Sequence, residues 1–392
     1  MATPFRKGAK GAMLDAYKGR MAFLAEDRTC IPDANARGFF RRRQSYLHAM
    51  PQSTLSSRLD ALAKLGQYIK SKPELLDAYV QRSSHHNGWF TIENQWRMLD
   101  TISKDYLDRE NLEKWTNAYT FQKSKAEKTV GLVLAGNIPL VGFHDWLSVL
   151  ASGNEALVKL SDKDPFVLPH LAQELEKIDP SFVGKTRFVE RLKDYDAVIA
   201  TGSDNTARYF KQYFGHVPHI IRGNRTSVAV IHGNETEEEL RGIADDVFAY
   251  FGLGCRSVGK IYVPKDYVFE PFLELLHEYK RFANHTKWKN NFDYNYAMLT
   301  INKEKFLGTG SILLIEAEGL HSRLATLHYE QYADLADVAI DLHAIQNKLQ
   351  AIVSASPVAA LDVVAPGTGQ RPSLSDYADG VDVMAFLSGL NG

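Results

Sequence analysis

Apolar positions first take up a regular rhythm after Met50. Leu55, Leu59, Leu62, Leu65 and Ile69 recur at helical spacing with polar residues between them. Ser53 or Thr54 stands ready to cap the predicted helix. Further helical stretches are expected to about Tyr119, with a break near Trp89 and Phe90. The pattern changes at Thr129. TVGLVLAG, EALVKL, AVIATG and SVAVIHG are short apolar runs ending on or near glycine, separated by amphipathic segments of helix length. Continuous β-branched runs alternating with helices predict parallel strands covered on both faces. Thr236 and Glu239 form a T-x-x-E capping box ahead of Leu240, Ile243, Ala244, Val247, Phe248 and Phe251, one clean amphipathic face. KIYVP, VFEPFLELLHEYKRF, SILLIEA and LQAIVSA then read as strand, helix, strand and strand. The expected fold is α/β, a doubly wound parallel sheet followed by a second α/β unit, with an N-terminal helical layer. The expected divisions are 1–49, a poorly ordered basic leader; 50–251, helices and first sheet; 252–365, second unit; and 366–392, a segment packing back on the body.

Composition narrows the function. Hydrophobic residues make up 45% and charged residues 24% of the 392 positions, ordinary for a globular chain. A net charge of −1 argues against a dedicated nucleic-acid binder. Residues 1–49 hold ten Lys/Arg against four Asp/Glu, with no apolar run to make a secretory signal. Gly131–Gly153 is the most apolar stretch, but Asn137, Pro139, His144 and Asp145 make it a poor membrane span. Two cysteines, Cys30 and Cys255, suit a reducing compartment, and a cytoplasmic location is expected.

Candidate chemistry gathers where runs end. In ATGSDNTARYF, Gly202 and Ser203 precede a helix whose first N–H groups would face a phosphate. A plain strand-to-helix turn capped by Ser203 fits the same residues. Asn137, just before Ile138-Pro139, is either a rigidly held amide donor for an oxyanion or a turn asparagine. Lys159 either reaches a ribose or phosphate or is a solvated strand end. Cys255, in YFGLGCRSVGKIYVP, is either an inert buried thiol or a nucleophile, with Arg256 beside it to favour thiolate. The apolar residues of 141–150 are either core or the lining of an acyl channel. No cluster suggests a metal.

Together these segments resemble the aldehyde dehydrogenase superfamily and, more narrowly, the LuxC-like fatty-acyl-CoA reductases known from bacterial bioluminescence. The match rests on GLVLAGNIPLVGFHDWLSVLASG, ALVKLSDKDP, ATGSDNTARYF, RGNRTSVAVI, FGLGCRSVGKIYVP and GQRPSLSDYADGVDVMAFL, in that order. The resemblance implies reduction of acyl-CoA to aldehyde through a thioacyl-enzyme on Cys255, with NADPH, or NADH, as cofactor. It implies Asn137 as oxyanion donor, Lys159 at the adenosine ribose, and Gly202 and Ser203 at the pyrophosphate. Asp162 disfavours a 2′-phosphate and Lys163 favours one. It implies acyl-transfer enzymes or a second copy of the chain as partners. Two departures stand out. Ile221 occupies the position of the glutamate that activates water in hydrolytic aldehyde dehydrogenases. The Glu-x-Phe-Gly-Pro element at the nicotinamide ribose is absent, leaving Glu330 as the nearest candidate. Oxidation of aldehydes, and acyl transfer without a nicotinamide, are the competing readings.

Overall fold

A computed structural model describes residues 53–121 and 127–390. The expected leader, 1–49, lies outside the described residues. Four helices open the described part of the chain: α1 (Leu55–Lys70), α2 (Glu74–His86), α3 (Ile92–Thr101) and α4 (Arg109–Thr116), with a π-helical turn at Ile102–Tyr106 joining the last two. Thr54 caps α1 by accepting from the Ser57 N–H. Leu59, Leu62, Leu65 and Ile69 bury one face of α1, as the spacing predicts, in a cluster that includes residues of the first sheet and its helices.

That sheet alternates strand and helix: β1 (Thr129–Val133), α5 (Phe143–Ala151), β2 (Glu155–Lys159), α6 (Val167–Ile178), β3 (Thr186–Phe188), β4 (Ala197–Thr201), α7 (Asp204–Phe214) and β5 (His219–Arg222). Its order is β3-β2-β1-β4-β5, all parallel. The chain leaves one edge at β3 and re-enters beside β1 as β4. The crevice beyond the carboxyl ends of β1 and β4 is therefore the topological switch point, where open α/β sheets take ligands.

The second sheet runs through β6 (Thr226–Val230), α8 (Glu237–Phe248), β7 (Val258–Pro264), α9 (Glu270–Glu278), α10 (Thr286–Ile301), β8 (Leu307–Gly308), β9 (Leu313–Glu316), β10 (Thr326–Tyr332), α11 (Leu335–Ala344) and β11 (Leu349–Ser354). Its order is β11-β6-β7-β10-β9-β8, parallel except for β8 on β9. One expectation is corrected here. The second unit does not begin at 252, because β6 pairs with β7 and β11, and α8 packs on β7. The change of sheet falls at Gly223-Asn224-Arg225. Strand–helix alternation is the same in both sheets, so the pattern cannot tell which sheet a strand joins. Finally α12 (Val383–Gly389) buries Val383, Met384 and Leu387 in the α1–α6 cluster. Trp115 Nε1 donates to Tyr377 Oη at 2.7 Å, and Tyr119 Oη to Asp382 Oδ2 at 2.8 Å.

Asp246 of α8 is fully buried, and its Oδ2 accepts the Gly367 N–H at 2.8 Å. Burial pushes its carboxyl up to about 7. The folded state then keeps a proton that the unfolded chain has lost above its ordinary carboxylate range. Stability should fall as pH rises from about 4 to about 7, and level off above. Asp246→Asn should flatten part of that slope, read as the urea midpoint against pH.

Candidate functional site

Cys255 is delivered by an unusual turn. α8 stops at Phe248, short of its expected end at Phe251, and Tyr250 (φ 52°) and Phe251 (φ 58°) turn left-handed ahead of Gly252 (φ 66°). Two aromatic residues in that region cost about 1–3 kcal/mol each, and persist only where packing fixes them. Phe251 is held among Trp89, Phe282, His285 and Trp288, and Tyr250 is buried. The turn throws Cys255 off the axis of α8. Its carbonyl accepts the Ser227 hydroxyl of β6 at 3.0 Å, which fixes the loop to the second sheet.

Cys255 stands where two cavities meet. The larger, about 690 Å³, lies between the two sheets and is lined by Gly136, Asn137, Gly202, Ser203, Arg225 and Arg323, among others. The smaller, about 120 Å³, is mainly apolar, with Met98, Ile102, Tyr106, Ile138 and Phe143 in its wall. Cys255, Gly254, Val141, Asp145, Arg222 and Ala378 belong to both. Val141, Phe143, His144 and Asp145 thus line the apolar cavity, whereas Trp146, Leu147, Val149 and Leu150 are core.

Asn137 is tied down. Its Nδ2 donates to the Leu253 carbonyl at 2.7 Å, two residues from the sulfur, and an amide nitrogen carries a second proton. The same loop is fastened at Leu140 (φ 53°), whose N–H donates to Asp164 Oδ2 at 2.7 Å. Gly202 brings α7 close against the end of β4, since a Cβ there would meet Thr206 Cγ2 at 2.9 Å. Ser203 is the cap of α7, accepting from Thr206 N at 3.3 Å, so the plain capping role is real; Ser203 and Asp204 also line the cleft.

Three of the sequence candidates lie elsewhere. Lys159 and Asp162 do not line either cavity, while their neighbours Ser161 and Lys163 line the larger one. Glu330 sits on β10, and its Oε2 takes the buried Lys260 Nζ at 2.6 Å. Ile221 turns its side chain into the cluster around Phe214 and Val198, away from both cavities.

Electrostatics at the sulfur are balanced. Burial pushes the Cys255 thiol up; Arg256 opposes this, Asp379 adds to it, and the residue's own N–H and Arg222 pull it down. Arg256 is no free cation, because its Nη2 pairs with Asp376 Oδ1 at 2.6 Å. His144 is enclosed by Tyr106, Trp115 and Tyr377, and its Nε2–H donates to the Leu374 carbonyl at 3.0 Å. Burial holds its pKa below the usual imidazole range and so disfavours the protonated ring. Sequence reading missed two ion pairs: Arg222 with Asp145 at 2.7 Å and Arg225 with Asp379 at 3.3 Å. The Gly-Asn-Arg turn contains Arg225 and so hints at the second pair, and nothing in sequence points to the first. The cleft's carboxylates are all engaged, since Asp204 Oδ1 accepts the Asn224 N–H at 2.8 Å.

The acyl-CoA reductase (LuxC) family profile matches residues 48–286, more than half of the chain and including both Asn137 and Cys255. The chain belongs to that family. Among relatives, the long-chain acyl-protein thioester reductase of Vibrio harveyi is 28% identical over 178 residues, 41% of this chain and 37% of its own length. Long-chain acyl-protein thioester reductase 2 of Photobacterium leiognathi is 23% identical over 260 residues, 60% of this chain and 54% of its own. The chain thus spans about half or less of these relatives. Among solved structures, an aldehyde dehydrogenase from Bacillus cereus superposes with TM-score 0.59 at 15% identity, covering 80% of this chain and 74% of that one. Aldehyde dehydrogenase 21 of Physcomitrella patens gives 0.60 at 13% identity, covering 88% and 86%. The fold of this LuxC family member is that of the aldehyde dehydrogenases. Among the described residues no helix is long and apolar enough to cross a membrane, and no group of His, Cys, Asp and Glu is placed to hold a metal.

Proposed function

We propose that this chain reduces a long-chain acyl thioester to the aldehyde at the expense of a reduced nicotinamide dinucleotide, through a thioacyl-enzyme on Cys255. The observation that carries the reading is the place of Cys255, at the junction of a polar cleft and an apolar pocket. A thioester carbonyl at that junction has its hydrocarbon tail on one side and the cleft on the other.

The polar cleft suits a dinucleotide. It lies at the switch point of the first sheet, offers the N-terminus of α7 behind Gly202 and Ser203, and carries Lys163 and Arg323 on its wall. Lys163 at the cleft, with Asp162 outside it, favours NADPH over NADH. An indole-3-acetaldehyde dehydrogenase of Pseudomonas syringae that shares the fold (TM-score 0.58, 13% identity, covering 82% of this chain and 76% of that one) was solved with NAD+. When bound, the reduced nicotinamide supplies the hydride that the acyl carbon accepts.

The chain's own residues do the rest. Cys255 thiolate adds to the thioester carbonyl, whose π pair moves onto oxygen. The second Nδ2 proton of Asn137 and the Cys255 N–H hold that oxyanion. As the carbonyl re-forms, the bond to the carrier sulfur breaks and the carrier leaves as thiolate. After hydride uptake the same donors hold the thiohemiacetal oxyanion. Its collapse breaks the bond to Cys255, frees the aldehyde and restores the thiolate. The one proton consumed overall goes from solvent to the carrier thiol. No step needs an acid from His144, in keeping with its lowered pKa. The absence of a free carboxylate among the described cleft residues protects the thioacyl group from water.

We take acyl-CoA as the carrier from the family description, while the relatives bear the name of acyl-protein thioester reductases. Incubation with NADPH or NADH and either C2 to C16 acyl-CoAs or an acylated carrier protein, followed at the nicotinamide absorbance, tests the reading. Oxidation of the dinucleotide should rise with acyl length. Oxidation with the protein-borne acyl group alone would correct the carrier, and oxidation with neither would refute the function.

A further inference from the structure

Arg222 is among the most enclosed charges in the described chain, 4% exposed, and its partner Asp145 is 6% exposed. Nη1 donates to Asp145 Oδ2 at 2.7 Å, but Nε and Nη2 have no hydrogen-bonding partner among the described residues. A buried guanidinium with open donors costs free energy unless those donors serve something. Both residues line the polar cleft and the apolar pocket, the two cavities that Cys255 also joins. The neighbouring Arg256 has no such freedom, because Nη2 is bound to Asp376.

We propose that Arg222 is a positioning residue for Cys255, a fixed cation that holds the negative charge of the sulfur as thiolate before attack and again when the thiohemiacetal collapses. Asp145 orients the guanidinium and leaves its other donors facing away from the pair. The ionisation itself is simple: the Cys255 S–H bond breaks and its proton passes to solvent. The inference rests on Cys255 being the nucleophile. Arg222 lies at the end of β5, next to Ile221, whose side chain takes the opposite face of the strand. Arg222 therefore faces the two cavities that Cys255 also lines, whereas Ile221 does not.

Other charged and titratable groups border the same sulfur. They are Arg256 from its own turn, Asp379 from the 378–380 turn, and the buried His144 and Asp145 of α5. Burial and Asp379 push the thiol up, and Arg256 and Arg222 push it down. Arg222 should therefore set where the thiol titrates without being its sole control.

The test is iodoacetamide alkylation of Cys255 against pH, read by peptide mass so that Cys30 does not contribute. It uses the full chain without cofactor or acyl substrate. Thiolate sulfur displaces iodide, so the rate follows the ionised fraction. Arg222→Met should move the midpoint up by about one pH unit or more, and Arg222→Lys should restore most of the difference. Removal of one partner from a buried ion pair is strongly destabilising. The double variant Arg222→Gln/Asp145→Asn, which leaves no stranded charge, should also shift upward, by less than Arg222→Met because the carboxylate that opposes the thiolate is removed with the cation. Midpoints of Arg222→Met and the double variant that overlay the wild type would overturn the proposal. Failure of the wild-type chain to take an acyl group from acyl-CoA would instead count against the function, whatever the alkylation profile.

Discussion

Cys255→Ala should lower acyl-thioester reduction by about 10⁴-fold or more while leaving NADPH binding within about twofold of wild type, since loss of a nucleophile removes the covalent route entirely. Cys255 is half-buried, and a methyl group in its place leaves the Ser227 bond to its carbonyl intact. The turn that carries it is held by Phe251 and Tyr250, not by the sulfur. The dinucleotide is assigned to Gly202, Ser203 and Lys163, which line the cleft on the first-sheet side. Stopped-flow nicotinamide absorbance measures the first quantity and calorimetry with NADPH the second. Equal loss of both would mean that the turn had collapsed.

Asn137→Ala should reduce the rate of Cys255 acylation by about 10²–10³-fold, the usual cost of removing one preorganised oxyanion donor. The Leu253 carbonyl would lose its 2.7 Å partner as well, so part of the effect is positional. Asn137→Asp separates the two contributions. Ionised, it can neither bond the Leu253 carbonyl nor stabilise an oxyanion, and it should be worse than alanine. Single-turnover acylation, followed by quenched mass spectrometry, measures each rate. Dinucleotide affinity should stay unchanged in the alanine variant. An alanine variant that acylates at the wild-type rate would remove Asn137 from the mechanism.

Much of the fold is legible in the chain because local rules and tertiary structure agree there. The Thr236/Glu239 capping box forms as the four-residue pattern requires, with both reciprocal bonds in place. The run of Leu59, Leu62, Leu65 and Ile69 buries the predicted face. What escaped is what only three-dimensional context decides. β5 is four residues long and β3 three, too short to carry a period, and β10 mixes His, Glu and Gln into a strand whose burial fades along its length instead of alternating. The helical pattern of α8 continues through Phe251 in sequence, but a left-handed turn ends it at Phe248 for the sake of the cysteine loop. The site is similarly divided. Asn137, Gly202, Ser203 and Cys255 come together at one cleft from strand ends far apart in sequence. Glu330 has the residue type that a ribose contact calls for, but Lys260, fully buried one strand away, claims its carboxylate. The Arg222–Asp145 pair spans two elements, and nothing in either segment announces it.

The most direct measurement is peptide-resolved mass of the wild-type chain after brief mixing with a long-chain acyl-CoA in the absence of dinucleotide. A thioester-linked acyl group on the Cys255 peptide, labile to hydroxylamine and discharged as aldehyde when NADPH is added, is the predicted result. Acyl-free Cys255 with aldehyde still formed on adding NADPH would contradict the account.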